Sequence, residues 1–106
     1  RLGHFDEAAE DYTRALAGTP DDAALLRNRG AVRLQQQRWA EAADDLTRAL
    51  ALQPDHAQAH FNRGLARGRL QQLPDALEDF ERAKALDPAL AAHVDPVLAA
   101  LRQPSR

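Results

Sequence analysis

The sequence predicts an all-α protein built as a solenoid of stacked, antiparallel helix pairs. Three observations carry that expectation. A proline recurs at a fixed step of 34 residues, at Pro20, Pro54 and Pro88. Apolar columns keep the same step: Ala8, Ala42 and Ala76; Ala15, Ala49 and Ala83; Tyr12, Leu46 and Phe80; Phe5, Trp39 and Leu73. Sliding the chain by that step matches residues 23–56 to 57–90 at 13 of 34 positions, and residues 3–22 to 37–56 at 11 of 20. A period of this length marks a repeat in which each unit is one supersecondary element, unable to bury its apolar face alone.

Each element follows from local pattern. The opening segment, about residues 5–17, reads as the second helix of a unit whose first helix is missing. Residues 23–36 are rich in Ala, Leu, Arg and Gln and contain only Gly30 as a helix breaker. Gln36-Gln37-Arg38 forms a short turn. Residues 39–52 then carry apolar side chains at 39, 42, 43, 46, 49 and 50, the spacing of one buried helical face. Pro54-Asp55 closes the unit, because proline lacks a donor and drives its predecessor out of the helical region. The next unit repeats the pattern, with helices near 57–70 and 74–86, where Pro74 suits a first turn. A last helix spans roughly 90–102, and Asp95-Pro96 is expected to kink or restart it. The domain reading is one domain, 1–106: residues 1–22 a truncated unit, 23–56 and 57–90 full units, 91–106 a capping helix and tail.

Such short turns force the helices to pack antiparallel and close. Gly30 and Gly64 share one mid-helix offset, where glycine costs about 1 kcal/mol relative to alanine. They are expected to be points of backbone approach between helices. With only about two and a half units plus a cap, stability is expected to be marginal.

Composition excludes more than it assigns. The 106 residues carry a formal net charge of −2, no Cys and no Met. Bulk charge therefore favours neither nucleic acid nor membrane, and there is no disulfide framework or thiolate metal site. No stretch approaches the roughly 20 apolar residues of a membrane span. The chain opens Arg1-Leu2-Gly3 partway through a unit, which reads as a piece of a longer protein; the lack of a leader-like start points to the cytoplasm.

The order of residues within the unit resembles the tetratricopeptide repeat. It reads Leu26-x2-Arg29-Gly30, Ala42-x3-Leu46, Ala49 and Pro54, then His60-x2-Arg63-Gly64, Ala76-x3-Phe80, Ala83 and Pro88. The half unit Ala8-x3-Tyr12, Ala15, Pro20 fits as well. The chain departs from the family pattern where Leu26 and His60 replace an aromatic, Arg29 and Arg63 replace Leu, and Arg33 and Arg67 replace Tyr. The resemblance implies a right-handed α-solenoid whose last helix is a cap. It also implies that the first helices line a concave, peptide-binding surface. Ankyrin units have a similar length, but their Thr-Pro-Leu-His signature is absent.

Charge is sorted by helix. The first helices carry Arg27, Arg29 and Arg33, then Arg63, Arg67 and Arg69, and no acid; the second helices carry the acids. By the resemblance, Arg29, Arg33, Arg63 and Arg67 match buried columns of the family, and they are expected to snorkel and meet carboxylates of neighbouring second helices. Ala24, Arg27, Asn28, Ala31 and Gln35 form a separate stripe, repeated as Gln58, Phe61, Asn62, Leu65 and Arg69. By the resemblance, this stripe is the peptide-binding surface. Asn28 and Asn62 can both donate to and accept from a peptide backbone, Arg27 and Arg69 suit a carboxylate, and Phe61 with Leu65 offers an apolar patch. Relatives that clamp a C-terminal carboxylate use further Lys and Asn positions, which here hold Ala24, Ala31 and Gln58. A looser preference for acidic or extended segments is the expectation.

No enzyme or cofactor is indicated. His56 and His60 have a spacing that can share a metal, but they sit at a helix start with only Asp55 beside them. Ser105 is the only Ser, and no phosphate loop or nucleophile elbow appears. Aromatic stacking platforms for RNA are missing. The favoured reading is a protein–protein adaptor. The alternative is a self-association element, a homodimer formed through Phe5, Ala8, Tyr12 and Leu16, residues the first helix is expected to leave partly uncovered.

Overall fold

In the computed structural model, which describes residues 2–102, the chain is a row of helices without strands. They are α1 (Leu2–Gly18), α2 (Ala23–Gln35), α3 (Trp39–Leu52), α4 (Ala57–Arg69), α5 (Leu73–Leu86) and α6 (Ala91–Arg102), with a 3-10 turn at Pro88–Leu90 before the last. Each helix packs against its neighbours in the chain, and α2 also meets α4 across the stack. The extents of 44 × 28 × 21 Å fit a short solenoid.

Local chemistry sets the helix ends. Asp22 caps α2 by accepting from the Leu25 amide at 3.1 Å. One period later, His56 caps α4 by accepting from the Ala59 amide through Nδ1 at 3.2 Å. At the opposite ends, Gln37 and Gln71 adopt φ of 62° and 66°, the left-handed conformation that terminates a helix. The Arg38 amide then reaches back to the Arg33 carbonyl at 2.8 Å, and the Gln72 amide to the Arg67 carbonyl at 2.9 Å.

Two expectations about boundaries are adjusted. Helix α1 begins at Leu2 rather than near residue 5. Helix α6 runs through Asp95-Pro96 instead of restarting there. Pro96 removes one donor from the ladder, and both it and Ala92, whose carbonyl loses that partner, are exposed to water.

The core is a chain of small clusters: Leu16, Leu26 and Ala49; Leu46, Leu50 and Ala59; then Ala76, Phe80, Val94 and Leu98. Gly30 and Gly64 are points of close approach between helices, but what approaches is a large side chain and not the expected helix backbone. A Cβ on Gly30 would lie 2.9 Å from Leu46 Cγ, and one on Gly64 would lie 2.8 Å from Phe80 Cε1. These glycines let each first helix sit directly on the large residue of its partner.

Beside each glycine lies a buried ion-pair cluster. Asp45, only 2% exposed, accepts from Arg29 Nε at 2.9 Å and Nη2 at 2.8 Å, and from Arg33 Nη1 at 2.9 Å. Asp79 repeats the arrangement with Arg63 Nε at 3.0 Å and Nη2 at 2.8 Å, and Arg67 Nη1 at 3.0 Å. Arg29 and Arg63 also donate to the preceding second helix, at Thr13 and Thr47. The bond to Asp45 raises the Arg29 pKa above its already high ordinary value, against the opposing effect of burial. The four arginines therefore meet carboxylates, as the charge sorting predicts. In such forks the cost of taking the charges out of water offsets much of their attraction, while loss of one partner would leave a buried charge uncompensated.

Candidate functional site

The stripe expected to bind a peptide lies on α2 and α4, and the fold brings part of it together as a cleft. Ala31 and Gln35 of α2 face Asn62, Leu65 and Arg69 of α4 across it. Leu34 and Trp39 complete the lining. The Arg69 guanidinium lies over the Trp39 ring, 5.3 Å from its centroid. Such a stack holds the cation by its attraction to the ring face, while its in-plane donors stay available. Neither Arg27 nor Arg69 pairs with a carboxylate among the described residues.

The remaining stripe residues divide. Asn28 is exposed. Gln58 Nε2 donates to Asn62 Oδ1 at 3.1 Å, fixing that amide with its NH2 group free to donate. Arg27 turns toward the loop between α3 and α4, where it donates to Gln53 Oε1. Phe61 packs edge-on against Phe80, with ring centroids 5.5 Å apart, and both Phe61 and Leu65 contact the cluster formed with α6. The apolar patch is thus shared between groove and core. Trp39 and Leu34 were not on the predicted stripe. The column of Phe5, Trp39 and Leu73 carried a packing signal only, and nothing local to Trp39 indicates that Arg69, thirty positions later, covers its ring.

The face expected for self-association is only partly open. Phe5, Ala8 and Tyr12 are half-buried, but Leu16 is 6% exposed and packs with Leu26 and Ala49. Leu16 therefore does not belong to the uncovered set. Its position turns it inward, beneath α2 rather than toward the unpartnered side.

The two histidines point to backbone. His56 Nδ1 serves as the cap of α4, and His60 Nε2 lies 2.7 Å from the Pro54 carbonyl oxygen. Burial, then the nearby Arg27, lower the His56 pKa below its ordinary value. Among the described residues, no group of three or more His, Cys, Asp or Glu converges as a metal site, and no helix is long and apolar enough to cross a membrane.

With this geometry in hand, comparison places the chain. It belongs to the tetratricopeptide repeat family, whose model matches residues 1–46 and 32–91. No curated protein sequence matches it. Among solved structures, the first TPR of Spaghetti (RPAP3) bound to the HSP90 peptide SRMEEVD is 31% identical with a TM-score of 0.87, the alignment covering 93% of this chain and 78% of that one. The second TPR domain of human RPAP3, in complex with the HSP70 peptide SGPTIEEVD, is 32% identical with a TM-score of 0.87, covering 96% and 84%. The Arabidopsis OM64 TPR domain is 27% identical with a TM-score of 0.89, covering 94% and 82%.

Proposed function

We propose that the chain is a protein–protein interaction module that holds an extended, acidic peptide segment in the groove between α2 and α4. The observation that carries this reading is the cleft itself. It combines an amide with free donors, Asn62, with a cation stacked on Trp39 and unpaired by any described carboxylate. An acidic side chain or a chain terminus would meet Arg69 through charge-assisted hydrogen bonds. Asn28 and Asn62, one period apart, would bind the peptide backbone without reading side chains. The acidic peptides held by the RPAP3 domains support the same class of ligand.

Calorimetric titration with SRMEEVD and SGPTIEEVD tests this. Asn28→Ala combined with Asn62→Ala should weaken binding roughly tenfold or more while leaving helicity unchanged, and Arg69→Gln should act in the same direction. Equal affinity in the wild type and both variants would remove the groove from consideration.

A further inference from the structure

The walls of the groove are in register, and the register sorts their side chains by chemistry. Asn28 of α2 and Asn62 of α4 stand one period apart, followed by Ala31 with Leu65, then Gln35 with Arg69. The first level is two amides, the second is apolar, and the third joins an amide to a cation. Ala31, Gln35, Asn62, Leu65 and Arg69 line one cleft of about 290 Å³, with Leu34 and Trp39 extending its apolar wall. Gln35 and Arg69 are exposed, and no carboxylate among the described residues pairs with Arg69.

Building on the groove reading above, we propose that this cleft selects an internal segment of a partner protein by two side chains, one apolar and one acidic, separated by a single residue. Ala31 to Gln35, like Leu65 to Arg69, is four residues of helix, about 6 Å along the axis at about 1.5 Å per residue. In an extended peptide, side chains two residues apart share a face and lie about 6.6 Å apart. The apolar and charged levels therefore take residues i and i+2 of one strand. Adjacent residues would point to opposite faces, and a separation of three residues would do the same.

Each level suits its share of the segment. Ala31 is small and leaves room opposite Leu65 for the apolar side chain. The guanidinium of Arg69, held over Trp39 at 5.3 Å, and the Gln35 amide offer donors to one carboxylate. The Asn28–Asn62 level lies about 4.5 Å beyond the apolar one, where its amides face the main chain. The donors are thus spread along the groove rather than gathered at one point. Arg27, the other cation of the stripe, turns away to Gln53. Selection therefore falls on side chains within the segment and needs no chain end.

The test titrates the whole isotope-labelled chain with isomeric peptides, acetylated and amidated so that neither end is charged. GSLSESG or its reversal GSESLSG, according to strand direction, should move the amides of Ala31, Gln35, Leu65 and Arg69. It should bind about threefold or more tighter than GSLESSG and GSLSSEG, where the same two side chains are adjacent or three apart. Changing Glu to Gln in the peptide and Arg69→Gln in the chain should each weaken binding by about threefold or more, and the two losses should not add. Arg69 is exposed, so its replacement keeps the fold. Equal affinity among the isomers, while SRMEEVD still shifts the groove, would overturn the spacing and leave the groove standing. Loss of the SRMEEVD shifts as well would remove both. No shift from any isomer at millimolar peptide, or SRMEEVD binding that vanishes on amidation of its C-terminus, would also overturn the proposal.

Discussion

At the scale of single residues, two glycines in one helix are expected to respond in opposite directions. A Cβ added at Gly68 would meet nothing within 4 Å, so Gly68→Ala gains helix propensity alone and should stabilise by about 1 kcal/mol. Gly64→Ala gains the same propensity but drives a methyl to 2.8 Å from the Phe80 ring, which is 1% exposed and boxed by Phe61 and Val94. Overpacking of about 1–3 kcal/mol should win, leaving the variant less stable. Urea unfolding of both variants checks the pair; stabilisation by both would mean the ring yields freely. His56 gives a second residue-scale outcome. Its cap needs an unprotonated Nδ1, and its folded pKa is lowered. The unfolded chain therefore takes up the proton first as pH falls below about 6.5, and stability drops from there until the lower folded value is passed. His56→Asn keeps a capping side chain without the titration. Its stability should fall less than that of the wild type between neutral and mildly acidic pH.

At the scale of helices, the sequence shows where elements lie better than how they stop. The 34-residue step, the alanine columns and the mid-helix glycines specify six helices and their pairing, because each is a packing requirement repeated in register. The charge sorting specifies the Arg–Asp clusters, since a guanidinium on a buried column must find a carboxylate. The ends are less legible. Gln37 and Gln71 both take a left-handed conformation that glycine adopts more readily, and nothing in the composition of Gln announces it. The repetition of Gln at that offset is the only trace. Gln37→Gly and Gln71→Gly should each raise stability by roughly 0.5–1 kcal/mol, after the greater freedom of the unfolded glycine is subtracted. A decrease on thermal unfolding would show that the glutamine side chains stabilise the turns more than their backbone strain opposes them. Leu16 illustrates the other gap. Periodicity placed it with Phe5, Ala8 and Tyr12, but only the packing of Leu26 and Ala49 shows that it faces inward.

At the scale of the whole molecule, the two ends of the stack differ in chemistry. Each full unit closes around a glycine and an aspartate held by two arginines, and α6 abandons that pattern for Val97, Leu98 and Leu101. The groove belongs to the middle of the stack, where α2 and α4 meet. The stripe of Asn28, Ala31, Gln35, Asn62, Leu65 and Arg69 was legible as a periodic face. The stacking of Arg69 on Trp39 was not, because it joins the start of one helix to the end of the next. Amide shift mapping of the chain with SRMEEVD tests the central claim most directly. Binding in the groove predicts shifts at Asn28, Ala31, Gln35, Asn62, Leu65 and Arg69, together with the indole N–H of Trp39. Shifts confined to α1, α3 and α5, with the Trp39 indole unmoved at saturation, would contradict it.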